Sequence, residues 1–251
     1  MAGSRYRVRD GIVVRRAPLP SGDVVVTLLS EDGKWRAVAR KGRLLGGNPG
    51  RLSLFHDVRV QTYARRDDDL AVVTQVTLRG ALARLADPDV YPYAHLLAEL
   101  ADRLTVDVHH GEPLHAWLAS GLRGLDVDDD PERVALVHAW MLVRVAGLAP
   151  DVHADVGDGA GGARFDVPGG RLAADGEGVA LAPDVASGLV RLVVDRPRAT
   201  LAAPLPERPA LWRALGRYVA WHVDRVKSLE AIAGTAPGAG PDRGPRPAVP
   251  R

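Results

Sequence analysis

Five short segments rich in β-branched residues lie between residues 11 and 78, and they restrict the fold of this chain more than any other feature. The segments read GIVVRR, DVVVTLLS, KWRAVAR, HDVRVQTYAR and LAVVTQVTL. Turn-forming stretches such as PLPSG, EDG and RDDD separate them, as is typical of strands joined by tight turns. Five such strands with one long loop predict a small closed β-barrel of the OB-fold type.

Positive charge is concentrated at the start of the chain. Residues 1–66 hold 14 Lys and Arg against 5 Asp and Glu, a balance of +9, whereas residues 67–251 hold 19 against 26, a balance of −7. Segregated charge of this kind indicates a module that binds a polyanion, joined to a mildly acidic body. OB-folds commonly bind single strands or oligosaccharides, so the basic barrel is the part that we expect to bind.

The sequence argues against several functional classes. The chain has no cysteine, which excludes disulfides, thiolate zinc sites and cysteine nucleophiles. No apolar run approaches about 18 residues, and the N-terminus MAGSRYRVRDG has no apolar signal segment. Neither HExxH nor GxSxG occurs, so we expect no enzyme. These features predict a soluble cytoplasmic protein that is not bound to a membrane.

Helical periodicity replaces strand alternation after residue 80. Leucines repeat at helical spacing in YPYAHLLAELADRL, a second segment begins at Pro113, and Asp130-Pro131 caps a third that ends near Gly147. The stretch PALWRALGRYVAWHV predicts a further amphipathic helix. Residues 151–182 are dense in Gly and Asp, which predicts a loop or short hairpin with little core of its own.

These patterns predict a multidomain α+β chain. Residues 1–79 form an OB-fold nucleic-acid-binding domain, residues 80–150 and 183–230 form a helical domain, and residues 151–182 form an insert. Residues 231–251 are rich in Gly and Pro and predict a disordered tail.

The strand at residues 34–40 carries cations on alternate positions. Lys34, Arg36 and Arg40 share one face, a basic glycine-rich loop follows, and RYRVRD repeats the alternation near the N-terminus. Cations at intervals along a groove are what a phosphate backbone requires, so we expect this face to form one wall of a nucleic-acid groove. The candidate contacts are Arg15, Arg16, Lys34, Arg36, Arg40, Lys41, Arg43, Arg51 and Arg59.

Two points about this basic face stay open. An antiparallel barrel also needs polar residues on its wet side, so the cations equally fit a solvated surface. Trp35 lies opposite the cations and either packs in the barrel core or offers a ring on which a base stacks. Tyr6 and Tyr63 are further candidate rings.

The ordered series of motifs resembles the RecO family of DNA-repair proteins. GIVVRRAPLPSGDVVVTLLSEDGKWRAVARKGR is similar to the opening of the family, and LSLFHDVRVQTY is similar to its next strand. YAHLLAELADRL, ALVHAWMLVRVAGLAP and PALWRALGRYVAWHV are similar to its helices. The resemblance covers nearly the whole chain, up to about residue 230, and its details are nearest to members from the Deinococcus lineage.

This resemblance implies a DNA-binding recombination mediator that acts at the nucleoid. RecO proteins bind single- and double-stranded DNA and anneal complementary strands without nucleotide hydrolysis. With RecR, and often RecF, they load the RecA recombinase onto strands covered by single-strand-binding protein (SSB), in double-strand-break and gap repair. The alternatives are an OB-fold RNA-binding module without annealing activity, or an adaptor whose basic face meets an acidic protein.

The family also docks on the acidic, apolar C-terminal tail of SSB. The resemblance implies a small apolar pocket ringed by arginines in the helical domain. The candidates are Trp117, Leu118, Leu122, Leu136 and Val137 for the lining, with Arg123, Arg133 or Arg144 for the acidic residues of the tail. The same side chains equally fit an ordinary bundle core and surface.

One departure from the family concerns its usual four-cysteine zinc module. Asp155 and Asp158 stand where the first cysteine pair is expected, and Ala174 and Glu177 stand around the second. Hard carboxylates are poor substitutes for thiolates at a structural zinc. We therefore expect a degenerate zinc-finger-like insert at residues 151–182, without zinc and without any other cofactor.

Overall fold

The computed structural model describes residues 5–40, 48–66, 69–105, 111–153, 156, 162–223 and 225–234. The chain divides into two compact units, one formed by Met1–Ala149 with Arg191–Leu205 and the other by Pro150–Val190 with Pro206–Arg251. This division differs from the expected boundaries, which placed all of residues 183–230 with residues 80–150.

The first unit begins with a five-stranded barrel. Its strands are β1 (Tyr6–Pro18), β2 (Val24–Ser30), β3 (Gly33–Ala39), β4 (Asp57–Tyr63) and β5 (Ala71–Gly80), with the short helix α1 (Asn48–Arg51) between β3 and β4. The barrel closes in the order β1-β2-β3-β5-β4, with β1 paired to β4 and a parallel contact between β3 and β5. This topology is that of an OB-fold, which confirms the fold predicted from strand alternation. The core contains Val13, Val26, Leu28, Ala37, Val58, Val60, Val73 and Val76.

Three longer helices follow the barrel. A 3₁₀ turn (Ala83–Ala86) precedes α2 (Tyr91–Leu104), α3 (Gly111–Val127) and α4 (Pro131–Val143). The Asp130 side chain caps α4 by accepting a hydrogen bond from the Arg133 backbone N–H (3.2 Å). The last turn of this helix is a π-turn that contains Gly147 with a φ of 77°. The cap and the end predicted for this helix are thus confirmed.

Helices α2 and α3 pack on the barrel. The backbone of Gly111, at the start of α3, lies so near the β2–β3 turn that a Cβ added there would be 2.1 Å from the Gly33 nitrogen. Asp102 of α2 is buried, with a carboxylate 3.1 Å from the Lys34 ammonium and 3.4 Å from Arg15 Nε. These contacts join barrel and helices into one unit.

The second unit contains a small four-stranded sheet where the sequence predicted a loop or short hairpin. Its strands are β6 (Asp151–Val152), β7 (Ala163–Asp166), β8 (Arg171–Ala173) and β9 (Val179–Leu181), in the order β6-β8-β7-β9. Phe165 and Leu172 are buried, and the Phe165 ring stacks on Tyr218 with centroids 5.5 Å apart. Burial raises the pKa of Tyr218 to about 12. The insert therefore has an apolar core, which the sequence interpretation missed.

Four helices complete the described part of the chain. They are α5 (Pro183–Val194), α6 (Pro197–Ala202), which packs on α4, α7 (Arg208–His222) and α8 (Lys227–Ala233). The amphipathic face predicted for α7 is confirmed, because Leu211, Leu215 and Val219 are buried. Helix α8 continues to Ala233, so the predicted tail at residues 231–251 begins within a helix, and residues 235–251 lie outside the described part. Among the helices described here, none is long and apolar enough to span a membrane.

Candidate nucleic-acid interface

A basic groove lies at one end of the barrel, between the start of β1, the strand β3 and the β4–β5 loop. We call it the barrel-mouth groove, and its volume is about 300 Å³. On β1, Arg7 pairs with the buried Thr62 and Arg9 pairs with the buried Val60, so both arginines share the face of β1 that continues into the barrel core. The main lining residues are Arg5, Arg7, Arg9, Trp35, Arg36 and Asp69.

Among the described residues, the charged members of the groove lining are mainly cationic. It contains four arginines and, as its acidic member, Asp69. The Arg9 guanidinium lies 5.6 Å from the centre of the Trp35 ring, which is within cation–π range. Cations gathered in a concave site focus a positive potential there, and that potential attracts an anionic polymer.

Trp35 lies partly against the barrel core and partly in the barrel-mouth groove, which are the two places that the sequence left open. Its side chain packs partly against the barrel core, while its ring also lines the barrel-mouth groove. Its Nε1 is buried and has no hydrogen-bond partner within the described ranges. Because the Arg9 guanidinium lies over the ring, Trp35 holds a cation in the groove and does not offer this face to a base.

The predicted contacts are spread over the barrel surface. Arg36 lines the barrel-mouth groove. Arg16 on β1 and Arg40, directly after β3, are exposed. Lys41 and Arg43 lie outside the described residues.

Three of the predicted contacts hold the fold together. The Lys34 ammonium donates to the Asp102 carbonyl (2.6 Å) and pairs with its carboxylate, which also meets Arg15. The Arg51 guanidinium donates to the Val76 carbonyl (3.0 Å). Their assignment as DNA contacts stays a prediction, and each of these cations also has a partner within the first unit.

Arg59 belongs to an ion-pair cluster on the outer face of the barrel. Its guanidinium donates to both carboxylate oxygens of Asp10 (2.7 and 2.8 Å), and Arg79 pairs with the same carboxylate. The hydrogen bond from Arg59 is the main cause that lowers the pKa of Asp10, and it likewise raises the pKa of Arg59. The side chain of Arg59 is still 58% exposed, so it borders solvent while it is paired.

The groove contains arginines that were not selected as contacts from the sequence. Arg5, Arg7 and Arg9 repeat on alternate positions in RYRVRD, and this alternation was the available signal. The structure brings the start of β1 next to Arg36, so the two alternating stretches meet at one site.

Three of the apolar residues predicted to bind the SSB tail are buried in the helical core. Leu118 and Leu136 are completely buried, and Val137 is 2% exposed. Trp117 is half-buried, with its ring 6.0 Å from that of His138. The reason is that α3 packs against α4, so the apolar positions of these helices form the bundle core.

The arginines predicted around that pocket are also separated. Arg133 pairs with Asp128 (3.4 Å), and Arg144 donates to a main-chain carbonyl near the end of α5 (3.4 Å). Arg123 is exposed and lines, together with Leu122, a cavity of about 440 Å³ between α3 and the barrel. Leu122 and Arg123 are thus the members of the predicted SSB-tail set that line this cavity.

The absence of zinc from residues 151–182 stays a prediction, and two of the four residues expected at the zinc positions can be described. Ala174 has no donor atom, Glu177 is exposed, and Asp155 and Asp158 lie outside the described residues. Within the described ranges, no three His, Asp or Glu side chains are grouped so that they could hold a metal ion. A Cys₄ centre cannot form in a chain without cysteine.

Comparison with known proteins gives the family. Residues 5–81 match the family model described as Recombination protein O N terminal, and residues 85–230 match Recombination protein O C terminal. DNA repair protein RecO of Frankia casuarinae is 29% identical over 227 residues, which cover 86% of this chain and 93% of the relative. DNA repair protein RecO of Roseiflexus sp. is 29% identical over 181 residues, 69% of this chain and 63% of the relative. The expected likeness to Deinococcus members stays a prediction. The OB-fold barrel, the helices that follow it and these matches lead to one conclusion: the chain belongs to the RecO family of DNA repair and recombination proteins.

Proposed function

We propose that this protein is a recombination mediator that binds DNA through its barrel and anneals complementary strands. The observation that carries the proposal is the barrel-mouth groove, in which Arg5, Arg7, Arg9 and Arg36 converge on an OB-fold. Membership in a family of DNA repair proteins supports DNA as the polyanion. The proposal favours DNA over RNA and over an acidic protein for that reason.

Annealing by such a groove is an electrostatic process. Two complementary strands repel each other, and arginines that neutralise their phosphates allow the strands to approach. Base pairing then supplies the driving force, so the reaction needs no general acid, no general base and no metal. Phosphate contacts release counterions, and binding must therefore weaken as salt rises.

The proposal extends to the partners of the family. With RecR, and with RecF where it takes part, this protein helps to load RecA onto single strands covered by SSB. It also contacts the C-terminal tail of SSB. From the predicted docking residues we retain Arg123 and Leu122, because the first is exposed and both line the cavity between α3 and the barrel.

The test of DNA binding is a variant in which Arg5, Arg9 and Arg36 are each replaced by Gln. Fluorescence anisotropy of a labelled oligothymidylate across a salt series gives a slope of about −0.7 for each phosphate contact. We expect wild type to show such a slope and the variant to lose about two or three contacts. We also expect the variant to anneal complementary strands covered by SSB more slowly.

The matched control replaces Arg198, Arg213 and Arg217 by Gln. These arginines are exposed on α6 and α7, so the control removes the same charge outside the groove. Salt-independent binding by wild type, or an equal loss in the control, would remove the barrel-mouth groove as the DNA site. Salt-dependent binding without annealing would remove the mediator role and leave a DNA-binding protein.

A further inference from the structure

The β7–β8 hairpin of the second unit ends in a turn that is closed by its own hydrogen bonds. The Asp166 carboxylate accepts a hydrogen bond from the Gly169 N–H (3.0 Å). The Val167 carbonyl accepts one from the Gly170 N–H (3.3 Å), and Gly170 has a φ of 64°, which favours glycine. The Gly170 carbonyl in turn accepts from the Asp151 N–H (2.8 Å), so this turn also holds strand β6.

Helix α7 contacts the same turn at two points. His222, at the end of the helix, lies 55 positions after Val167, and its Nε2 is 2.7 Å from the Val167 carbonyl oxygen. A carbonyl oxygen can only accept, so Nε2 is the donor. Tyr218 lies one helical turn earlier, and a Cβ added to Gly170 would be 3.1 Å from its hydroxyl oxygen. The end of α7 therefore lies directly against the hairpin turn.

Three rings connect the hairpin to this helix. The Phe165 ring of β7 stacks on Tyr218, with centroids 5.5 Å apart and ring planes at 22°, and the Tyr218 and His222 centroids are 4.3 Å apart. Phe165 also pairs across the hairpin with Leu172, and both side chains are buried. We call Phe165, Tyr218 and His222 the aromatic clamp.

The sheet that carries this hairpin needs support from outside its strands. Strands β6 to β9 have two to four residues each, and so small a sheet is stable only when it packs on something else. Small units with little core commonly use disulfides or a structural metal for this purpose. Thiolate ligands and disulfides are excluded here, because the chain has no cysteine.

We propose that the aromatic clamp replaces the structural zinc of the usual family module, so that the second unit folds without a metal. A structural zinc would tie a hairpin by bonds to its side chains. The clamp ties it by one hydrogen bond to a main-chain carbonyl and by two ring contacts. The second unit should therefore keep its fold under conditions that remove zinc or oxidise thiols.

The first test uses the wild-type full chain and needs no variant. The protein is produced in cells grown with added zinc, and its metal content is measured by inductively coupled plasma mass spectrometry. Thermal unfolding is then followed with and without EDTA. We expect substoichiometric zinc and an unchanged midpoint. Stoichiometric zinc, together with a midpoint that falls in EDTA, would overturn the proposal.

The second test removes the donor of the clamp. His222→Leu keeps an apolar side chain at this position but cannot donate to the Val167 carbonyl. We expect the amides of Gly169 and Gly170 to exchange hydrogen about 10-fold faster than in wild type, because the turn opens more often. Phe165→Leu, which keeps the site apolar but removes the ring stack, should change exchange in the same direction.

The matched control is His153→Leu, which removes another histidine from the same unit. His153 Nε2 lies near Arg171 (3.1 Å) and Asp151 (3.6 Å), away from the clamp contacts given above. This variant should leave exchange at Gly169 and Gly170 as in wild type. It also tests the metal alternative, because His153 is a side chain of this unit that could bind zinc.

The outcomes decide for or against the clamp. Faster exchange in His222→Leu and Phe165→Leu, with none in His153→Leu, would support it. Wild-type exchange in His222→Leu, or an equal increase in His153→Leu, would overturn it. Circular dichroism checks that the variants fold, and the zinc and EDTA measurements on wild type decide the question even if they do not. Binding of DNA by the barrel is a separate matter, so either result leaves the proposed function to its own test.

Discussion

Lys34 and Arg36 lie two residues apart on one face of β3, yet their charged groups have different surroundings. The Lys34 ammonium hydrogen bonds to Asp102 of α2, whereas Arg36 is exposed and lines the barrel-mouth groove. Strand alternation places both on the same face, but it does not say what packs on each part of that face. The two cations should therefore be separable by experiment.

We expect Lys34→Gln to affect stability and Arg36→Gln to affect DNA binding. Removing the ammonium from the buried Asp102 should lower the free energy of unfolding by about 2 kcal/mol. The salt slope of oligonucleotide binding should stay unchanged. Arg36→Gln should lower that slope by about 0.7 and change stability by less than about 0.5 kcal/mol.

Urea denaturation and anisotropy on the same two proteins decide between these roles. Asp102→Asn serves as the matched control, because it removes the charge at the other end of the same contact. It should destabilise the fold as Lys34→Gln does and leave the salt slope intact. A reduced slope in Lys34→Gln with normal stability would return Lys34 to the DNA site.

At the scale of single residues, the sequence showed which side chains are cationic, but it did not show which of them form ion pairs within the fold. The partner of Lys34 lies 68 positions further along the chain, and the partner of Arg59 lies 49 positions before it. Ion pairs across such separations depend on how the barrel and the helices meet, and no local pattern records that. The role of Asp130 as a helix cap could be predicted, because it accepts a hydrogen bond from the backbone of Arg133, only three residues away.

At the scale of elements, long periodic segments could be predicted and short ones could not. The five barrel strands have 7 to 13 residues, enough for alternation to be visible. Strands β6 to β9 have two to four residues, so alternation is hardly defined there. Their core also depends on Tyr218, which lies far away in the sequence. For both reasons, the Gly- and Asp-rich sequence of residues 151–182 did not predict this sheet.

The close contact between the start of α3 and the β2–β3 turn predicts how a substitution at Gly111 changes stability. Gly111→Ala should destabilise the protein by about 3 kcal/mol, because the added Cβ would meet backbone atoms of Gly33 and Glu31 that cannot move aside. A flexible side chain could rotate away, but backbone atoms of a tight turn cannot. Chemical denaturation monitored by tryptophan fluorescence measures the loss.

Gly50→Ala in α1 is the matched control for this junction. A Cβ at Gly50 would meet no atom within 4 Å, so this change should be neutral or stabilise by about 0.5 kcal/mol. Equal stability of the two alanine variants would show that α3 does not lie against the turn as closely as described.

At the scale of the whole molecule, segregated charge predicts that residues 1–66 bind a polyanion, but it does not select the cations that would do so. The balance of +9 in residues 1–66 includes Arg15, Lys34 and Arg59, which are already paired with carboxylates. Four other arginines of this segment, Arg5, Arg7, Arg9 and Arg36, line the barrel-mouth groove. Net charge therefore indicates the class of partner, while folding selects the site.

The stability of the whole chain should also depend on pH through a buried histidine. His138 of α4 is 3% exposed; its Nδ1–H donates to the Val134 carbonyl (2.8 Å), and the Ser120 hydroxyl lies 3.4 Å from Nε2. Burial lowers the pKa of His138 below its ordinary value of 6.5, and the hydrogen bond to Val134 opposes this only partly. The unfolded chain then binds a proton more readily than the folded chain, so stability is full above pH 6.5 and falls below it.

We expect the free energy of unfolding to fall by up to about 1 kcal/mol, through His138 alone, between about pH 7.5 and pH 5.5. Urea denaturation at both pH values measures the change, and His138→Asn, which keeps a short polar side chain, should remove this part of it. Burial also lowers the pKa of His115, so His115→Asn should remove a second part with the same sign. The stability that the lowered pKa of Asp10 contributes is present above pH 3.8 and is lost only as the pH falls through that value, so it does not change within this window. If the pH dependence stayed unchanged in His138→Asn, His138 would bind protons equally well in the folded and unfolded chains. That result would contradict the prediction, which rests on the burial of this histidine.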